Sequence, residues 1–252
     1  MVSLNSILYI VVSAFAGIVA TALYDTFRTP YPVNRLDFFI RKHLKKGKIN
    51  GTNFIFERTI EIKEAALDEI FNMLKCGSSG QTTDIFNKIT LSNVKLSIGT
   101  RIGDKITFGL KFHKIHAKLE LSLSLNRIPT DYDEDEEKKV TITIQTIVDD
   151  WNYKAVKGLI YDSKEITNQI MDLIRKQYKN VDVISDIVFF DTKKQPHILS
   201  YLNELQENSQ NKVSLKINEY MNAIFYNNKC EFINVRSDSD MKSLLDAIIW
   251  YV

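Results

Sequence analysis

Hydrophobic positions fall into three regimes along the chain, and the first is unbroken. Leu4 to Tyr24, LNSILYIVVSAFAGIVATALY, has 21 residues and no charge. At about 1.5 Å of rise per residue, a helix of that length spans the roughly 30 Å hydrocarbon core of a bilayer. Pro30 and Pro32 push Thr29 and Tyr31 toward extended geometry, so this helix is expected to end near Arg28. Tyr24 and Tyr31 suit the lipid–water interface. Next, Leu36, Phe39, Ile40 and Leu44 recur at helical spacing with basic residues between them, and Gly47 supplies a stop. That pattern predicts an amphipathic helix, lying along an anionic membrane surface or packing on a globular domain.

From Asn53 onward the periods are those of a folded domain. Phe54, Phe56, Ile60 and Ile62 alternate with Ile55, Glu57, Thr59 and Glu61, a half-buried strand whose apolar face is interrupted by Arg58, placed at its edge. Lys63 to Lys75 switches to helical period, and Cys76-Gly77-Ser78-Ser79-Gly80 ends it. Period two then returns. Ile89–Leu91 and Val94–Ile98 have opposite parity, implying a bulge near Asn93. Gly103-Asp104 reads as a hairpin turn between short strands, Ile115 to Leu125 alternates, and Val140 to Thr146 gives a further strand. Asp162 to Tyr178 is a helix, capped by Asp162 or Ser163, with Ile166, Ile170, Leu173, Ile174 and Tyr178 as its stripe.

The remaining residues repeat this order in shorter form. Val183 to Phe190 reads as a fully buried strand, Pro196 opens a helix, and Val213, Leu215 and Ile217 alternate. Ala223 to Tyr226 leads through the Asn227-Asn228 turn to Cys230–Val235, and Asp238 caps a last helix bearing Met241, Leu244, Leu245, Ile248 and Ile249. The expected fold is therefore α+β: a single transmembrane helix (1–28), a basic amphipathic juxtamembrane segment (29–50), an antiparallel sheet packed by a long helix (51–180), and a smaller C-terminal α+β domain (181–252). The arrangement over residues 53 to 178 resembles helix-grip or START-like lipid-binding domains. That resemblance implies an apolar ligand cradled between the sheet and the long helix.

Charge sharpens the first two regimes. Residues 25 to 50 carry Arg28, Arg35, Arg41, Lys42, Lys45, Lys46 and Lys48 against Asp25 and Asp37, a net +5 in a chain whose total is +2. Position assigns Arg41, Lys42, Lys45, Lys46 and Lys48 to a membrane surface with anionic headgroups. A nucleic-acid binder would instead be basic throughout, so no nucleic-acid partner is expected. Ala20-Thr21-Ala22 resembles a signal-peptide cleavage site, but no Lys or Arg precedes the apolar run. Positive charge stays on the cytoplasmic side. A retained anchor is expected, with its N-terminus outside and residues 25 to 252 in the cytoplasm. Ser13, Gly17 and Thr21 fall on one face of it, a spacing that permits close helix–helix contact. Cys76 and Cys230 are far apart and belong to no C-x-x-C pattern. Two unpaired thiols in a reducing compartment are expected, with a single disulfide as the alternative.

Candidate chemistry adds little. His113 and His116, three apart on a strand, point to opposite faces, and His43 and His197 are isolated. The acidic run Asp131 to Glu137 lacks the glycine and terminal glutamate spacing of an EF-hand and reads as a solvated loop. Gly77 to Gly80 has no following lysine, so no phosphate loop is present, and Asp149-Asp150 reads as a solvent-facing pair. No catalytic, metal or cofactor residue is nominated. The expected function is a single-pass, non-enzymatic interaction module or subunit of a membrane-associated complex, held by a protein partner or by self-association. A membrane-tethered domain binding a lipid or other apolar ligand is the alternative.

Overall fold

The chain runs α1 (Leu4–Arg28), α2 (Arg35–Leu44), β1 (Asn50–Lys63), β2 (Val94–Leu96), β3 (Thr100–Ile102), β4 (Lys105–Phe112), β5 (Ile115–Arg127), β6 (Lys138–Asn152), α3 (Tyr153–Gln177), β7 (Val181–Asp191), β8 (Lys212–Lys216), β9 (Asn222–Tyr226), β10 (Lys229–Ile233) and α4 (Asp238–Tyr251). The computed structural model describes residues 4–28, 34–44, 46–63, 69, 94–96, 100–102, 105–112, 115–127, 138–193, 196–199 and 212–252. The helix expected over Lys63–Lys75, the Cys76–Gly80 turn, the bulge near Asn93, the Gly103-Asp104 turn and the Asp131–Glu137 run lie wholly or largely outside these residues. Within α1, Asn5–Asp25 is long and apolar enough to cross a membrane. A signal sequence meets the same test of length and composition.

Among the described residues all strand pairs are antiparallel, in one sheet of order β2-β4-β5-β6-β1-β7-β10-β9-β8, with β3 on β4. The centre belongs to β1, whose Phe54 pairs with Val148 of β6 on one side and Phe190 of β7 on the other. The sheet therefore continues through the boundary expected at 180/181. A chain of aromatic contacts crosses the same boundary. Phe190 touches Phe54 at 5.4 Å, Trp151 at 5.0 Å and Phe232 at 5.9 Å. Phe232 meets Phe225 at 6.1 Å, and Phe225 meets Tyr251 of α4 at 5.5 Å. Offset and edge-on ring pairs of this kind stabilise beyond their buried area.

The inner face of the sheet follows period two. Phe54, Phe56, Ile60 and Ile62 of β1 and Val140, Ile142, Ile144 and Val148 of β6 are fully buried. Against them lies α3, which presents Val156, Ile160, Ile166, Ile170 and Ile174, also fully buried. This helix begins nine residues before the expected Asp162. The stripe extends back through Val156 and Ile160, and Asn152, the last residue of β6, caps it by accepting from the Ala155 N–H at 3.2 Å. Ser163, one of the two expected caps, is buried mid-helix instead.

Two other expectations are corrected. Arg58 lies on the central strand and faces inward, 7% exposed, rather than at an edge. β7 alternates instead of being buried on both faces. Between Thr59 and Ile60 its register against β1 shifts: Arg58 opposes Asp186, while Ile60 opposes Val183. Ile184 is the extra residue, 48% exposed. The bulge turns Ile184 outward and returns Val183 and Val181 to the inner side, while Asp186 meets Arg58 in the unshifted register that runs on from Phe54 and Phe190.

Ser237, not Asp238, caps α4, with Asp240 completing a capping box. The Asp240 carboxylate is 3% exposed. Burial works against its charge. Donors oppose that effect: the Ser237 N–H and hydroxyl, each at 2.8 Å, the Asn218 amide at 2.8 Å and the Arg236 N–H at 3.1 Å. The donors win, and the carboxyl is held below its usual range. An unfolded Asp titrates near about 3.9. The stabilisation is thus fully present above that value and is lost as pH falls through the lower folded one. Asp240→Asn is expected to lower the urea midpoint at neutral pH and to make it fall less steeply on acidification. Parallel acid limbs for the two proteins would refute this.

Candidate functional site

The second face of the sheet carries a groove of about 880 Å³. Both α3 and α4 pack on the inner face, so period two leaves Ile55, Glu57, Gln145, Phe189, Tyr226 and Glu231 half-buried on this side. Ile55 and Phe189, opposed in the β1–β7 register, form an apolar floor. The polar residues around it are cross-strand pairs. Gln145 donates to Glu57 at 2.6 Å, Asn53 donates to Asp191 at 3.0 Å, and the Tyr226 hydroxyl donates to Glu231 at 3.1 Å. Burial, the Glu231 acceptor and its charge push the Tyr226 phenol up, so it remains a donor. The Asn227-Asn228 turn and Lys229 close one end. Asp191 is fixed from behind: its carbonyl accepts the Trp151 indole N–H at 2.9 Å, beside Gly51. Each of these carboxylates accepts from a neighbour, which fixes the rim in place.

A second cleft, about 460 Å³, lies among α2, α3 and α4. Here Lys42 pairs with Asp246 at 3.3 Å, and the Tyr161 hydroxyl donates to Asp238 at 2.7 Å. Burial and the nearby Asp246 push the Tyr153 phenol up to about 12. Across α4, Phe38 of α2 stacks on Trp250 with ring centres 5.0 Å apart. This is a seam along which α2 packs on α4.

That seam redistributes the basic residues read as a membrane surface. Arg41 is 1% exposed and ion-paired with Asp37 at 3.6 Å, one turn away. Its guanidinium is thus turned to Asp37 rather than to the open surface. Lys42 is turned toward α4. Lys46 is half-buried and Lys48 exposed, and Lys45 lies outside the described residues. On α1, Ser13, Gly17 and Thr21 are all exposed. The Thr21 hydroxyl donates to the Gly17 carbonyl at 2.9 Å, and nothing within 4 Å would obstruct a side chain at Gly17.

Of the histidines, His43 is exposed beside Phe39, with rings 4.4 Å apart, and His197 is half-buried. The side chains of His113 and His116 are outside the described set. Among the described residues, no group of three His, Cys, Asp or Glu side chains could hold a metal ion. Cys230 is a free, buried thiol pushed up by burial and by Asp191, and Cys76 lies outside the described residues. Asp149 and Asp150 are both exposed.

None of the groove residues was nominated from sequence. Outward polar positions on an alternating strand look identical whether they face bulk water or line a groove. No protein-family model matches the chain, and no curated protein matches it.

Proposed function

We propose that the protein is a retained, single-pass membrane anchor carrying a non-enzymatic interaction module, with the soluble part in the cytoplasm, and that the outer face of the sheet receives a protein partner. The observation that supports this is the groove over Ile55 and Phe189, an apolar floor with a paired polar rim on the face opposite the helices. Orientation rests on the +5 flank following an uncharged N-terminus.

The apolar-ligand alternative calls for a cavity between the sheet and the long helix. That interface draws it no support: Phe56, Ile60, Ile142, Ile144, Ile166 and Ile170 fill it, each at 0% exposure, as expected of a close-packed core.

A photo-activatable residue placed at Phe189, in the full chain in native membranes, is expected to crosslink one discrete protein. The same residue at exposed Lys176 on α3 should not capture it. Crosslinking at Phe189 to lipid alone would favour the apolar-ligand reading. Equal crosslinking at both positions would refute the groove as the binding surface.

A further inference from the structure

α2 has two faces, and the structure uses the less apolar one against protein. Asp37 and Arg41 are buried, Phe38 stacks on Trp250, and Lys42 pairs with Asp246. The apolar stripe faces the other way: Leu36 is 50% exposed, Phe39 58% and Leu44 51%. Ordinary globular packing would turn this stripe inward, so its orientation points to an apolar surround outside the domain.

Chain geometry says which surround. Only residues 29 to 34 separate the end of α1 at Arg28 from the start of α2 at Arg35. Even fully extended, that connection reaches at most about 25 Å. α2 also packs against α1. The stripe is thus held beside the point where the apolar span ends. Arg28, Arg35, His43 and Lys48 are exposed around it, the polar and basic border that an interfacial helix carries.

We propose that α2 inserts Leu36, Phe39 and Leu44 into the headgroup–acyl boundary of the bilayer entered by α1, while its opposite face grips α4. This rests on the reading of α1 as a retained anchor. Lipid contact is thereby assigned to the apolar residues of α2 and not to Arg41 and Lys42. The helix becomes a two-sided clamp that fixes the domain against the membrane instead of leaving it on a loose tether. Helices of this kind sink roughly 5–10 Å into the interface.

The test is tryptophan quenching by brominated lipid, with the full chain in vesicles of phosphatidylcholine and phosphatidylglycerol. Emission is taken as the difference from the parent protein, whose Trp151 is buried and whose Trp250 is half-buried. Phe39→Trp is expected to shift emission to shorter wavelength and to lose intensity to bromines placed high on the acyl chains. Tyr220→Trp, at a 66% exposed turn position, should respond only to an aqueous quencher. Phe15→Trp within α1 separates the two readings, because deep bromines must quench it if α1 spans. Quenching at position 15 with none at position 39 overturns the clamp and leaves the anchor standing. A blue-shifted position 39 that lipid bromines do not reach means that protein covers the stripe, and also overturns the clamp. No quenching at position 15 overturns both.

Discussion

Asp186→Ala is expected to cost about 3–5 kcal/mol of folding stability, a large share of the roughly 5–15 kcal/mol available to a folded domain. The carboxylate takes two parallel hydrogen bonds from Arg58, Nε to Oδ1 and Nη2 to Oδ2, both at 2.6 Å. The third arm of the guanidinium goes to Asn168 of α3. Asp186 is 2% exposed. Removing it leaves Arg58 charged in the core, because a guanidinium does not give up its proton. Lys164 worsens the position. Burial depresses its pKa, Asp186 offsets that effect and Arg58 adds to it. The alanine variant retains the Asp186 carbonyl, which accepts from the Asn234 and Val235 N–H groups at 2.8 and 3.3 Å, so the loss reports on the carboxylate. Urea unfolding of the full chain in detergent micelles, followed by tryptophan emission, would measure it. Replacing both members, Arg58→Leu with Asp186→Leu, is expected to restore much of the stability, since no buried charge is then left unpaired. A loss below about 1 kcal/mol for the single variant is what a solvated surface pair would give, and would refute the account.

Gly51→Ala should be nearly as damaging, for a steric reason. An ideal Cβ at Gly51 would stand 1.6 Å from the Asp191 carbonyl oxygen and 2.4 Å from the Trp151 indole nitrogen. The nearest obstacle is backbone, so no rotamer change relieves it, and β7 must move away from the start of β1. Overpacking combined with loss of the Trp151–Asp191 hydrogen bond gives roughly 2–4 kcal/mol. The displacement would also carry Asp191 away from Asn53 at the rim of the groove. Two readouts are therefore expected to change together: a red shift in emission as Trp151, 3% exposed, meets water, and weaker crosslinking from position 189. Unchanged emission with normal stability would show that the two strands do not approach as closely as described.

The apolar periodicity of the chain made much of the fold legible. Alternation in β1, β6 and β8 predicts which residues face inward, because one buried face leaves a period-two signature. The Asn227-Asn228 turn falls where β9 and β10 pair, with Tyr226 opposite Lys229. Arg58 was misplaced because its partner is not in its own strand. Asp186 comes opposite it only through the pairing of β1 with β7, and alternation within a strand does not say which strand lies beside it. The early start of α3 was hidden because β6 passes into it without an intervening loop, and Asn152 is an unremarkable cap by itself. The orientation of α2 was undecidable for a different reason. Amphipathic spacing shows that a helix has two faces, but Phe38 and Trp250 meet only through the tertiary fold.

The position of β1 bears on how the chain is made. Among the described strands it comes first in the chain, after α1 and α2, yet its partners are β6 and β7, far later in the sequence. At translation speeds of about 5–20 residues per second, its edges wait unpaired for seconds before either neighbour exists. Glu57, Arg58, Glu61 and Lys63 interrupt its apolar residues, and charged side chains of that kind discourage intermolecular strand pairing. The ion pair that fastens the finished sheet thus has an earlier role through its arginine, as a gatekeeper on a strand that is still alone.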